Sequence, residues 1–341
     1  MVPELLGVTL RRLRKFLQGR NTVNKSEQSK TLITKKKKTF KDLLKSFRVQ
    51  KELWIICLIA LVWVVVFCYI PMLGNWIAFF SYTPGKTMAD STFVGLKYFK
   101  RFFSLPDVWR IMRNTLAIST LNLTIGFAVP IAFALLLNEL RNGFFKRFIQ
   151  TISYMPHFVS WVVVASLMFT LLGSDGIINE SLIKIGVLKE AVPFLNKAGL
   201  FWGILTSANI WKGMGWSAII YISAIAGVDG ELYDAGSVDG LGRFGKVWHI
   251  TLPGIANTII LLFILGIGNI LSAGFEQQLL LGNTMTQETY EVIDTYVYRY
   301  GVQMGNYSFA TAVGLMKSVF GFGLVLLANK LSKKFTDMQL F

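Results

Sequence analysis

The sequence predicts an all-α membrane protein, on three observations. Of its 341 residues, 53% are hydrophobic and only 16% are charged, where a soluble domain carries about 25% charged residues. Apolar stretches recur at the roughly 20-residue length that a helix needs to cross a bilayer. The basic residues are unevenly placed: 15 of the 35 Lys and Arg lie at or before Lys51, ahead of the first apolar stretch.

About six spans are expected, at residues 53–80, 115–137, 149–172, 200–227, 255–275 and 309–331. Pro71 is expected to kink the first, and Pro156 lies within the third. The two cysteines, Cys57 and Cys68, would stand about 16 Å apart on one helix, too far for a disulfide. They read as small apolar packing residues.

Residues 1–51 form a basic N-terminal segment. Its charged region is too long for a secretory signal. Residues 2–17 suit an amphipathic helix on the membrane surface, and residues 21–38 a flexible basic linker. Nucleic-acid binding is one reading of such a block. A basic block just before an apolar span favours another, in which it is held inside next to anionic membrane lipid. Nucleic acid is therefore not expected as a partner.

With the N-terminus inside, the loops 138–147 and 229–253 are also inside, as is the tail 333–341. Arg141, Lys146, Arg147, Arg243 and Lys246 then face the cytoplasm, as charge bias requires. Segment 52–112 comprises the first span and an external stretch; 113–332 is the membrane core. The external stretch holds Lys86, Lys97, Lys100, Arg101, Arg110 and Arg113, against the bias. In 93–113 these alternate with Phe and Trp, which suits a helix lying at the outer interface with snorkelling cations. The acidic loop 276–308 is expected outside, either as a contact surface or as a solvated connector.

The loop between the fourth and fifth spans reads GVDGELYDAGSVDGLGRFGKVWHITLPGI. Asp229 can cap a helix begun by Glu231. Asp239-Gly240 is a turn pair. Residues 241–250 can form a second short helix, and Pro253 suits the first turn of the next span. The loop is thus a helix–turn–helix hairpin, with small residues that let another backbone approach.

This stretch resembles the EAA motif of permease subunits in binding-protein-dependent ABC importers. The family pattern of E-A-A, then D-G, then I-x-L-P is matched by Asp234-Ala235-Gly236, Asp239-Gly240 and Ile250-Thr251-Leu252-Pro253. Asp234 and Gly236 depart from it. NTLAIST at 114–120, GIIN at 176–179 and NIWKGMGWSAIIYISAI at 209–225 are similar to the sugar branch, including permeases of the alginate-importer type. The resemblance implies the fold of a type I ABC importer transmembrane domain. It also implies a bacterial cytoplasmic-membrane location, a second homologous permease subunit, an ABC ATPase dimer and an extracytoplasmic solute-binding protein. ATPase coupling would fall to Asp234, Ala235, Gly236, Asp239, Gly240 and Pro253. The chain is not expected to be an enzyme or to hold a cofactor: it has no G-x-x-x-x-G-K-[ST] loop, so ATP and Mg belong to the partner. No catalytic constellation or metal-ligand spacing is present.

For the substrate pathway, Lys212 and Lys317 stand near the middle of their spans, where charge is costly and often functional. They either face an anionic cargo, such as a uronate oligosaccharide, or bond backbone carbonyls or partner acids. Trp216, Tyr221, Asn269 and Ser272 offer the aromatic faces and polar groups that sugars use. The family implies contacts near Gly213, Trp216 and Asn269. Helix packing is the alternative for each residue. A neutral-sugar importer and an ion-coupled secondary transporter are the competing functions. The second would show intramembrane acids and internal repeats, which the sequence does not display.

Overall fold

The computed structural model describes residues 51–141 and 143–336. The expected surface helix 2–17, the linker 21–38 and the end of the tail lie outside them. The chain divides into two units, 1–72 and 73–341.

In the first unit the helix α1 (Lys51–Val64) runs into a wide turn at Val65–Tyr69 and then the short helix Ile70–Met72, which holds Pro71. A proline removes one backbone donor and crowds the preceding turn, and the widened turn accommodates it. Cys57 and Cys68 are free thiols.

The second unit opens with a tight helical run, Leu73–Phe79, and a two-residue antiparallel ribbon. In it, β1 (Phe80–Ser81) pairs with β2 (Thr92–Phe93), Phe80 opposite Phe93. The helices follow in order: α2 (Lys97–Ser104), α3 (Val108–Glu139), α4 (Phe144–Phe158), α5 (Trp161–Leu172), α6 (Ile177–Lys184) and α7 (Ala198–Ala226). Next come α8 (Gly230–Val238), α9 (Arg243–Lys246), α10 (Ala256–Gly268), α11 (Glu276–Leu281), α12 (Gln287–Tyr290), α13 (Ile293–Tyr298) and α14 (Tyr307–Thr336).

Five helical runs are long and apolar enough to cross a membrane: Lys51–Phe79, Val108–Glu139, Trp161–Lys184, Arg243–Gly268 and Tyr307–Lys333. The expected fourth span, α7, is a continuous helix of 29 residues. It is not among the five, because Ser207, Asn209, Lys212 and its glycines dilute its hydropathy.

The third expected span is not one helix. It breaks between α4 and α5 at Val159 and Ser160, and the Ser160 hydroxyl accepts from the Val163 amide at 3.4 Å to start α5. The fifth ends at Gly268, earlier than expected, and Asn269 to Phe275 are unwound. The stretch 93–113 is likewise two pieces, since a turn at Leu105–Asp107 separates α2 from α3, so Trp109, Arg110 and Arg113 belong to α3.

α3 is the central rod, and three core layers follow it from end to end. Near its start, Ile111 packs with Phe102, Ile293, Tyr296 and Phe309. Midway, Ile118 packs with Ala165, Leu205, Ala273 and Val292. Near its end, Ala134 packs with Ala218, Tyr221, Ile225 and Ile255. Helices in lipid gain nothing by exchanging one apolar neighbour for another, so close contact between small residues and polar bonds holds them. The α3–α7 seam fits that rule: Ala134, Ala208 and Ala218 are fully enclosed, and Asn209 donates to Asn122 at 3.3 Å across it. Facing outward, α14 exposes Val319, Phe320, Phe322, Leu326 and Leu327, a surface that suits lipid.

Candidate coupling hairpin and substrate pathway

The hairpin forms as its residues dictate. The Asp229 side chain accepts from the Glu231 amide at 3.0 Å and caps α8. At the other end Gly240 has a φ of +77°, the left-handed conformation that glycine adopts without penalty. The Leu241 amide then reaches back to the Gly236 carbonyl at 2.8 Å, and the Gly240 amide to Ser237 at 3.2 Å. This pair of bonds is the Schellman closure of a helix.

Two side-chain bonds tie the second leg to the first. Lys246 Nζ donates to Ser237 Oγ at 2.5 Å, and the Tyr233 and Thr251 hydroxyls meet at 3.0 Å. The second leg begins two residues later than expected and does not stop at 250: α9 is one turn, followed by a wide helical turn at Val247–Thr251 and the short helix Leu252–Gly254 that holds Pro253. These run on into α10, so hairpin and span are one helical run, Arg243–Gly268.

Of the six residues expected to couple, Asp234, Ala235, Asp239, Gly240 and Pro253 are exposed. Gly236 is buried inside the hairpin. A Cβ there would lie 2.7 Å from Ile250 Cδ1 and 3.2 Å from Leu241 Cδ1. The first leg thus lies directly against the Ile250 and Leu241 side chains of the second, and a methyl group here would require those flexible ends to shift. The hairpin also exposes large apolar side chains, with Val238 89%, Phe244 91% and Trp248 70% exposed.

The pathway candidates divide into two groups. Trp216 is 45% exposed, and its ring lies parallel on His157, with centroids 4.5 Å apart. Asn269 and Ser272 are exposed at the unwound end of α10. A Cβ on Gly213 would meet open space. The other three are engaged within the chain. Tyr221 is 3% exposed, in the core layer at the end of α3. Lys212 Nζ donates to the carbonyls of His157 and Val159, both at 2.6 Å, and of Pro156 at 3.4 Å. Lys317 forms an ion pair with Asp294 of the same chain.

The segment 276–308 is no simple connector. It folds as α11, α12 and α13 against the end of the bundle opposite the hairpin, and carries residues that sequence reasoning missed. Glu291 is 1% exposed. It pairs with Arg110 at 3.1 Å and Arg299 at 2.6 Å, and Arg110 also reaches Asp107 at 3.0 Å. Asn114, fully buried, donates to the carbonyls of Glu288 at 2.9 Å and Glu291 at 3.0 Å. The Thr115 hydroxyl accepts from the Ile293 amide at 3.0 Å. The Trp202 indole donates to the Thr289 carbonyl at 2.9 Å. One signal in the sequence pointed here: the cations of 86–113 and the acids of 276–294 are both placed at the same end of the bundle.

A helical membrane bundle with an exposed hairpin that bears large apolar side chains and runs directly into a span defines a membrane transport subunit. Residues 124–337 match the family described as binding-protein-dependent transport system inner membrane component. The chain belongs to that family: it is an ABC-importer permease, a transport subunit and not an enzyme. It is 45% identical over 311 residues to the polygalacturonan/rhamnogalacturonan transport system permease protein YteP of Bacillus subtilis, covering 91% of this chain and 96% of that one. It is 44% identical to protein LplB of the same organism, covering 86% and 92%. Among solved structures, it is similar to a chain of a bacterial ABC transporter that imports the acidic polysaccharide alginate. That match has 37% identity and a TM-score of 0.78, and covers 86% of this chain and 99% of the other. A related structure holds the alginate transporter in complex with an alginate pentasaccharide-bound periplasmic protein, with 37% identity, a TM-score of 0.79 and coverage of 87% and 99%.

Proposed function

We propose that this chain is one of two homologous permease subunits of an importer for acidic, uronate-containing oligosaccharides. A pair of ATPase subunits binds ATP and Mg and docks on the hairpin, and an extracytoplasmic binding protein delivers the cargo. The N- and C-termini and the hairpin are inside, and the core 113–332 forms this chain's half of the pathway.

The observation that carries the reading is the hairpin. It presents Val238 and Phe244 almost fully to solvent, and large exposed apolar side chains mark an interaction site. Asp234, Ala235, Asp239, Gly240 and Pro253 border that surface and make or position the ATPase contact. Gly236 lets the two legs close beneath it. The cargo class is supported by the polygalacturonan and alginate systems to which the chain is similar. Within the pathway, Trp216 offers a ring face to sugar, Gly213 leaves room beside it, and Asn269 and Ser272 supply polar partners. Tyr221, Lys212 and Lys317 support the lining from inside the bundle.

The test is ATP hydrolysis by the complex purified with its partners and reconstituted in vesicles. We expect its solute-binding protein to stimulate hydrolysis when loaded with trigalacturonate and not with maltotriose. Equal stimulation by the two would replace the acidic cargo with a general sugar. Uptake driven by an ion gradient without any ATPase would overturn the reading.

A further inference from the structure

The break between α4 and α5 exposes backbone groups at the middle of the bundle. The last carbonyls of any helix lack partners along the chain, and in lipid such groups must be satisfied by the protein. One turn of α7 holds α4 at three points, and the first of them meets this need. Lys212 Nζ takes the carbonyls of Pro156, His157 and Val159. Gly215 lies so close to α4 that a Cβ would fall 2.1 Å from the Ser153 carbonyl oxygen. Trp216 stacks on His157 with an angle of 2° between the rings. Positions 212, 215 and 216 are spaced i, i+3 and i+4, so they share one face of α7.

An ammonium group has three donors and no acceptor, and here two carbonyls lie close to it and a third at the edge of hydrogen-bond distance. A cation is also the charge that the C-terminal end of a helix dipole favours. The Trp161 ring, first in α5, lies 5.8 Å from the same nitrogen. Lys212 is thus held by backbone carbonyls within the chain.

We infer that Lys212 is a positioning residue: with Gly215 and Trp216 it locks the broken end of α4 to α7, so that the two move as one body when the pathway opens and closes. This rests on the transport reading for its functional consequence only. The lock itself is open to measurement without any cargo.

The experiment is hydrogen exchange on the assembled complex, comparing wild type with Lys212→Met and Lys212→Arg, alongside transport. Loss of these charge-assisted bonds should speed amide exchange across residues 157–164 by about tenfold, with other segments unchanged. Lys212→Arg, which keeps charge and donors, should stay much closer to wild type and serves where the Met variant fails to assemble. Transport by Lys212→Met should fall by the same factor for trigalacturonate and for any neutral trisaccharide the complex accepts. Unchanged exchange in Lys212→Met, or Arg exchange as fast as that of Met, overturns the lock, as does a transport loss confined to the acidic cargo. A wild-type complex that no sugar stimulates would sink the transport reading and leave the exchange result standing.

Discussion

The two ends of the bundle solve opposite problems. At the hairpin end, neutral hydrogen bonds and one lysine tie the legs together, and large apolar side chains, Phe244 and Val238, stand bare. At the other end, the polar groups point inward: Glu291 is enclosed between Arg110 and Arg299, and Asn114 is fully buried against two carbonyls. The hairpin keeps its binding surface outside and its fastening inside, as a part made to be gripped does. The segment 276–303 is fastened to α3 through Glu291 and Arg110 and to α14 through Asp294 and Lys317, and so forms a cap. Charge is thus the structural material at one end, and exposed apolar area the functional material at the other.

That contrast can be broken from the cap first. Glu291→Gln leaves two partly exposed guanidinium groups without their shared carboxylate, and losing hydrogen bonds to a charged group costs about 1.5–3 kcal/mol. We expect a clear drop in the melting temperature of the purified complex, with little change in affinity for the ATPase. A variant that melts like wild type would show that the cap is not held by this ion cluster. At the hairpin, Gly236→Val forces a branched side chain into Ile250 and Leu241, and such overpacking costs about 1–3 kcal/mol. Basal hydrolysis by the ATPase should survive while its coupling to transport falls; coupling at the wild-type level would remove the contact at Gly236 from the argument. The smallest effect on stability belongs to Phe244→Ala, which leaves stability within about 0.5 kcal/mol. We expect this substitution to weaken co-purification of the ATPase, so the comparison sharpens if the gentlest change to the fold is the harshest to assembly. Retention of the ATPase at wild-type yield would move the docking surface elsewhere.

Local chemistry made the hairpin legible. The Asp229 cap and the Asp239-Gly240 turn depend on neighbours within a few residues, and both appear as read. Gly236 was legible as small and as a departure from the family, but its burial depends on Ile250, a residue on the other leg. The cap was much less legible. Its acids and its cations could each be counted, yet Arg110 and Glu291 are 181 positions apart, and composition does not join them. Lys317 could be placed at membrane depth, but its partner Asp294 belongs to a stretch that reads as an external loop until it folds back on the bundle. The break after α4 shows the same limit. Pro156 lay within an apolar stretch, but the helix stops two residues later, where α7 supplies a lysine for the freed carbonyls.

The contact at Gly236 also bears on how such hairpins can be exchanged between transporters. The ends of the Leu241 and Ile250 side chains lie against Gly236, so the packing of the first leg and the rotamers of the second are set together. A graft of residues 229–240 from a relative with alanine there would bring a methyl against Ile250, and a graft of the second leg alone could leave a gap. Chimaeras that take the whole hairpin should keep this contact as it is, whereas either half alone must readjust Ile250 and Leu241. Partner choice at this surface would then be inherited as a block, with Gly236 and Ile250 as its internal matching marks.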